Sequence, residues 1–117
     1  MIKTYKEACK KLGLNPNNLP DVSTFPEEDQ KSIIAYSALT KIAKALNEGW
    51  KPNWDDSNEY KYYPYFDMRS GSFDGTNCVI WGSISAVGSR LCFKNRELAE
   101  YAGKQFEDIY KEYLTIS

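Results

Sequence analysis

The chain has 117 residues, 42% hydrophobic and 15% aromatic, enough for one domain with its own core over residues 1–117 and too few for two. A net charge of −1 argues against a surface that tracks polyanions along its whole extent. Histidine is absent, which removes the usual general base, the usual metal ligand and every imidazole-dependent triad.

The opening residues, Met1-Ile2-Lys3-Thr4-Tyr5-Lys6, turn polar at once. No apolar run approaches the ~18 residues of a membrane span, so a cytoplasmic protein with no membrane contact is expected. Cys9, Cys78 and Cys92 are odd in number and widely spaced. They suit reduced, buried thiols better than disulfides or a zinc site.

Thr4-Tyr5-Lys6-Glu7 has the form of a capping box, followed by Tyr5, Cys9 and Leu12 on one face and a stop at Gly13. A short helix over 4–12 is predicted. Residues 15–21, Asn-Pro-Asn-Asn-Leu-Pro-Asp, are turn chemistry throughout. Thr24-Phe25-Pro26-Glu27 repeats the capping-box form, and Ala35, Leu39, Ile42 and Leu46 mark an apolar stripe behind it. A central helix over 25–47 follows, ended by Gly49. After a region of different character, Asn95 is placed to cap a third helix through Leu98, Ala102, Phe106, Ile109 and Tyr113, almost to the carboxyl end.

Between the second and third helices the pattern becomes extended. Tyr60–Met68 is rich in β-favouring aromatics, Asn77–Ser85 alternates, and Arg90–Lys94 sets Leu91 and Phe93 against charge. Asp74-Gly75 and Val87-Gly88 are turn signals between them. Pro64 lacks an amide donor, which suits an edge strand. The predicted fold is α+β: helices packed on one face of a three-stranded antiparallel meander, in the order α-α-β-β-β-α.

"ALNEGWKPNW", "KYYPYF" and "VGSRLCFKNRELAEYAGKQF" resemble segments of a group of small uncharacterised proteins carried by phages and mobile elements of anaerobic gut bacteria. The resemblance implies an accessory role in such an element and carries no catalytic residue or ligand with it.

The glycines at 71, 75, 82 and 88 fit neither phosphate-binding spacing. Gly71, Gly75 and Gly88 read as turn formers and Gly82 as a close packing point. Asp55, Asp56 and Glu59 lie close in sequence and Asp67 and Asp74 flank a turn, so paired carboxylates could do acid–base work, but acids in turns mostly cap backbone amides. Oxygens of Asp55, Ser57 and Glu59 alternate as calcium ligands do, yet the glycine and twelfth-position acid of an EF-hand loop are missing. A solvated turn is the preferred reading, and no metal or cofactor is expected. A non-enzymatic protein follows.

Aromatic density is the feature that rises above routine. Residues 47–66 carry Trp50, Trp54, four tyrosines and Phe66 around the acidic turn, either as a structural lid or as a binding surface. Tyr60, Tyr62 and Phe66 share one strand parity and Tyr63 and Tyr65 the other, so one helix layer cannot bury them all. Residues 60–96 also hold Lys61, Arg69, Arg90, Lys94 and Arg96 against Asp67 and Asp74. Trp50, Trp54, Tyr63, Tyr65, Trp81 and Arg90 are therefore the candidate binding residues. A protein-binding module with an unknown protein partner is the first reading, because tyrosine, tryptophan and arginine dominate interface hot spots. A single-stranded nucleic-acid-binding accessory is the alternative. Self-association would give a homodimer, through the exposed sheet face or the edge strand.

Overall fold

A computed structural model describes residues 1–116, apart from the side chain of Thr76. Four helices and three antiparallel segments give the α+β class in the expected order.

Helix α1 (Tyr5–Leu12) is bounded as its sequence dictates. The Glu7 amide donates to Thr4 Oγ1 at 3.1 Å, and the Thr4 amide donates back to the Glu7 carboxylate at 3.2 Å. At the other end Gly13 takes the left-handed conformation (φ 71°), and the amides of Gly13 and Leu14 bond the carbonyls of Lys10 and Cys9.

Helix α2 (Glu27–Asn47) starts two residues later than expected. The second capping box does not form: Pro26 is the N-cap and no side chain caps the helix. Proline pre-sets the backbone there, and the first-turn acids Glu27, Glu28 and Asp29 supply the electrostatic complement to the helix dipole. Glu48 and Gly49 close it with positive φ.

Strands β1 (Lys61–Asp67) and β2 (Asp74–Trp81) pair antiparallel, with Lys61 opposite Trp81, Tyr63 opposite Val79 and Pro64 opposite Cys78. They are joined by a turn at residues 69–72, in which the Ser72 amide reaches the Arg69 carbonyl and Gly71 supplies the positive φ. Asp74-Gly75, expected as that turn, lies inside β2.

The third extended segment is a single bridge, and it lies against β1 instead of β2. Tyr62 and Phe93 exchange both backbone hydrogen bonds, at 3.0 and 2.7 Å. Tyr62 thus turns its amide and carbonyl away from β2. Strand alternation gives Pro64 the same direction. The missing proline amide therefore costs β2 nothing, while it denies the third segment its next donor, and Asn95 ends the segment on the other side by capping α3. This explains both why a proline is tolerated in β1 and why the third strand stays one residue long.

Helix α3 (Arg96–Gln105) begins under Asn95, whose Oδ1 accepts the Leu98 amide at 2.8 Å. The expected long third helix breaks at Phe106 (φ −112°, ψ 28°), and α4 (Glu107–Leu114) follows. The break lets the two halves pack on different layers: α3 on the strands, α4 on α2. Tyr110 of α4 is fully buried and touches both Tyr63 and Phe66 rings.

The seat of α3 on the sheet depends on two glycines. A Cβ on Gly103 would stand 2.8 Å from Pro64 Cβ, and one on Gly75 would stand 2.5 Å from the Phe66 ring and 2.8 Å from the Gly103 carbonyl. Gly75 is thus a packing position and not a turn former. Mid-helix glycine to alanine normally gains ~1 kcal/mol. At Gly103 overpacking against β1 costs ~1–3 kcal/mol and reverses the sign. Gly103→Ala is expected to lower the urea midpoint, and a raised midpoint would refute this packing.

Burial also sets an alkaline limit. Desolvation raises the hydroxyl pKa of Tyr63 and Tyr110 well above the usual 10.0, and that of Tyr5 to about 12. Below the unfolded value the stability from these neutral hydroxyls is intact. As pH climbs beyond it, the unfolded chain ionises first and stability falls. Urea midpoints should hold up to about pH 10 and then decline, with the tyrosinate absorbance of Tyr63 and Tyr110 appearing only on unfolding.

Candidate functional site

The segment 53–59 contains no regular structure of its own, and its shape comes from what it encloses. Lys61, the first residue of β1, is completely buried. Its ammonium donates to the carbonyls of Asn53 at 2.6 Å and Asp56 at 2.9 Å. The Glu59 carboxylate lies 3.5 Å away, and the Trp54 ring centroid 5.2 Å away. Three donors, two carbonyls, a carboxylate and an aromatic face make a satisfied internal cation site.

Three further bonds tie the loop together. The Asn53 amide donates to Glu59 Oε1 at 2.7 Å, the Asp55 amide to Asn53 Oδ1, and the Asn58 amide to Asp56 Oδ1. The last two are Asx turns, as the composition suggested. Of the three oxygens that alternate like calcium ligands, only that of Glu59 faces the centre; Asp55 and Ser57 are exposed. The oxygens that converge do so on an ammonium. Gly82, read as a close packing point, is one: a Cβ there would stand 2.7 Å from the Ser57 carbonyl oxygen.

The six candidate binding residues separate into four groups. Tyr63 is a correction: it is 7% exposed, stacked on Trp81 (centroids 6.1 Å, planes 15° apart) and edge-on to Tyr110. Trp81 is half-buried in the same stack. Tyr65 shares the parity of Tyr63 but is 47% exposed, next to a register slip between Tyr65 and Asp67. The row of base-stacking side chains across the strands, Tyr63-Tyr65-Trp81-Arg90, is therefore not assembled. One side of the pair is filled near Lys61, and Arg90 belongs elsewhere.

The local positive excess of residues 60–96 dissolves in the same way. Lys61 is internal, Arg69 pairs with Asp67 at 2.6 Å, and Arg96 lies 3.7 Å from Glu100 and over the Tyr62 ring.

Trp50 and Arg90 do come together. They line a cleft of 740 Å³ between the last turns of α2, residues 49–52 and residues 89–90. Lys41, Lys44 and Lys51 line it as well, and no carboxylate side chain does. Among the described residues none of these four cations has a carboxylate within 4.0 Å. Leu14 and Trp50 supply its apolar lining. The floor is tied down: buried Asn47 donates to the Cys92 carbonyl at 2.9 Å and accepts the Lys94 amide at 3.1 Å, stapling α2 to the third segment. Trp54 stands behind the cleft, half-buried, with its indole N–H donating to Ser89 Oγ at 2.7 Å.

Lys41, Lys44 and Lys51 were not singled out by sequence reasoning. Lys41 and Lys44 share a helix face by their spacing of three, but nothing local says that residues 51 and 90 stand opposite them.

No protein-family model, curated protein or solved structure matches the chain. Among the described residues, no helix is long and apolar enough to cross a membrane.

Cys9, Cys78 and Cys92 are free and buried. Burial pushes the Cys92 thiol to about 11 and raises that of Cys78, against the opposing pull of Arg96. Neither has the lowered pKa of a nucleophilic cysteine.

The internal site predicts a specific fragility. Lys61→Met keeps much of the side-chain volume but leaves two carbonyls without their donor and the Glu59 carboxylate without its cation. The expected loss is ~3 kcal/mol, measured as a lowered denaturation midpoint. An unchanged midpoint would mean that the ammonium contributes nothing to the fold.

Proposed function

We propose that this protein is a small protein-binding module that captures an acidic segment of a partner protein in the cleft between α2 and residues 49–52 and 89–90. The carrying observation is the lining: Lys41, Lys44, Lys51 and Arg90 around one cavity, with Trp50 beside them and no acid among the lining residues. A cavity of 740 Å³ is within the ordinary range for ligand sites and accepts a few side chains, not a folded domain. Arginine and tryptophan are also the side chains that most often carry interface energy.

Single-stranded nucleic acid draws less support from this geometry. Sequence-tolerant strand binding uses successive stacking aromatics, and the cleft holds one tryptophan while Tyr63 and Trp81 stack on each other. A binding role in place of catalysis accords with the same inventory: no histidine, and acids engaged in turns and pairs. A cytoplasmic setting and an accessory role in a phage or mobile element complete the proposal, the latter on the sequence resemblance alone.

Calorimetric titration with a glutamate-rich peptide carrying one leucine tests it. Binding is expected, and Lys44→Glu or Arg90→Glu should each weaken it by about tenfold or more through like-charge repulsion. If the peptide fails to bind while a mixed oligonucleotide binds with a log–log salt slope of about −0.7 per phosphate, nucleic acid is the partner instead.

A further inference from the structure

We infer that Lys61 is a positioning residue for the cleft: its buried ammonium, which lines no part of the cavity, sets where the Trp50–Pro52 wall stands. The inference rests on the proposed capture of an acidic segment, and it concerns how that site is held in shape. The wall is a short bridge between two anchors. At one end the Trp50 amide donates to the Asn47 carbonyl at 3.0 Å, which ties it to α2. At the other end Pro52 is followed by Asn53, and Asn53 is fixed at both backbone groups: its carbonyl accepts from Lys61 and its amide donates to Glu59.

The opposite wall depends on the same cluster. Ser89 and Arg90 line the cavity, and Ser89 accepts the indole N–H of Trp54, whose ring lies over the Lys61 ammonium. One internal cation therefore organises both lips, through Asn53 on one side and Trp54 on the other. Lys51 and Arg90, which face an incoming anion from these lips, have no carboxylate partner of their own within 4.0 Å among the described residues. Their placement comes from the backbone that carries them. A ligand that meets the walls already spaced does not spend binding energy on ordering them.

Two variants test this. Lys61→Ala removes a side-chain fragment equivalent to n-propylammonium, so the added amine can restore the cation without restoring the covalent link. At a temperature where the variant is folded, its affinity for the glutamate-rich peptide should fall by about tenfold, the scale of one lost polar interaction. Propylammonium should recover it, and tetramethylammonium or sodium at equal ionic strength should not. Trp54→Phe keeps a ring over Lys61 but deletes the donor to Ser89, and it serves if the alanine variant does not fold. It should lower affinity without an equivalent loss of melting temperature.

Amide hydrogen exchange at Trp50 and Asn53, the two hydrogen-bonded amides of that wall, reads the same positioning with no ligand present. It should quicken in Lys61→Ala, slow again with propylammonium, and stay at the wild-type rate in Trp54→Phe, which keeps the bond from Lys61 to Asn53. Wild-type exchange rates in folded Lys61→Ala would overturn the inference whatever the peptide does. A peptide that fails to bind wild-type protein, while exchange responds as expected, sinks only the functional reading. Peptide binding at wild-type affinity in both folded variants would also overturn the positioning role.

Discussion

The buried ammonium of Lys61 is the constraint around which this molecule is arranged. Removing a lysine from water is unfavourable unless its three donors find partners, and here backbone carbonyls supply two of them. Asn53-Trp54-Asp55-Asp56-Ser57-Asn58 has no periodicity and no apolar face to fold upon, so without a central group it would have many conformations of similar energy. The ammonium selects one. Buried ion pairs are weak evidence for stability in general, since an apolar replacement often packs as well. What an apolar residue cannot do is choose which carbonyls turn inward. The value of Lys61 lies in that choice, and it is passed along the chain to the walls of the cleft.

A second constraint is the small size of the sheet. Two strands and one bridge are marginal in water and must be held from outside. On one side α3 lies close because Gly103 and Gly75 allow it, with Pro64 at the contact. On the other, Tyr63 and Trp81 stack and Tyr110 of α4 meets Tyr63 edge-on. Phe66 joins Phe73 at 4.9 Å and Tyr110 at 4.9 Å. The aromatic richness thus serves mainly as packing: large rings fill the space between a narrow sheet and the helices against it.

The parts of this architecture that were legible in the sequence are those encoded within one turn or one strand. Thr4, Glu7, Gly13 and Asn95 sit where their capping chemistry requires, and the apolar stripe Ala35-Leu39-Ile42-Leu46 is buried as its spacing demands. What was not legible depends on partners far away in the chain. The break at Phe106 arises because α3 and α4 serve different layers, and neither layer is visible from that helix. Tyr63 looked like a surface aromatic by strand parity, but Tyr110 and Trp81 enclose it. Lys61 is the clearest case: a lysine at a strand start reads as solvated, and only the fold reveals an oxygen cage around it. The cleft is assembled from residues near 44, 51 and 90, so its charge is distributed over three unremarkable stretches, and only Trp50 and Arg90 stand out in the sequence.

Near-zero net charge conceals a polar molecule. Glu27, Glu28 and Asp29 stand at the start of α2 and Lys44 in its last turn, about 25 Å apart by helical rise, with the cleft at the cationic end. That separation exceeds the screening length of about 8 Å at physiological salt, so the acids do little to quiet the field inside the cleft. Lys41, Lys44, Lys51 and Arg90 line that end, and among the described residues none has a carboxylate within 4.0 Å. A bipolar arrangement of this kind orients any approaching anion toward the cationic end before contact is made. A surface that is neutral on average can in this way be selective for charge at one place, because what a partner feels is set by position within a screening length and not by the sum over the sequence.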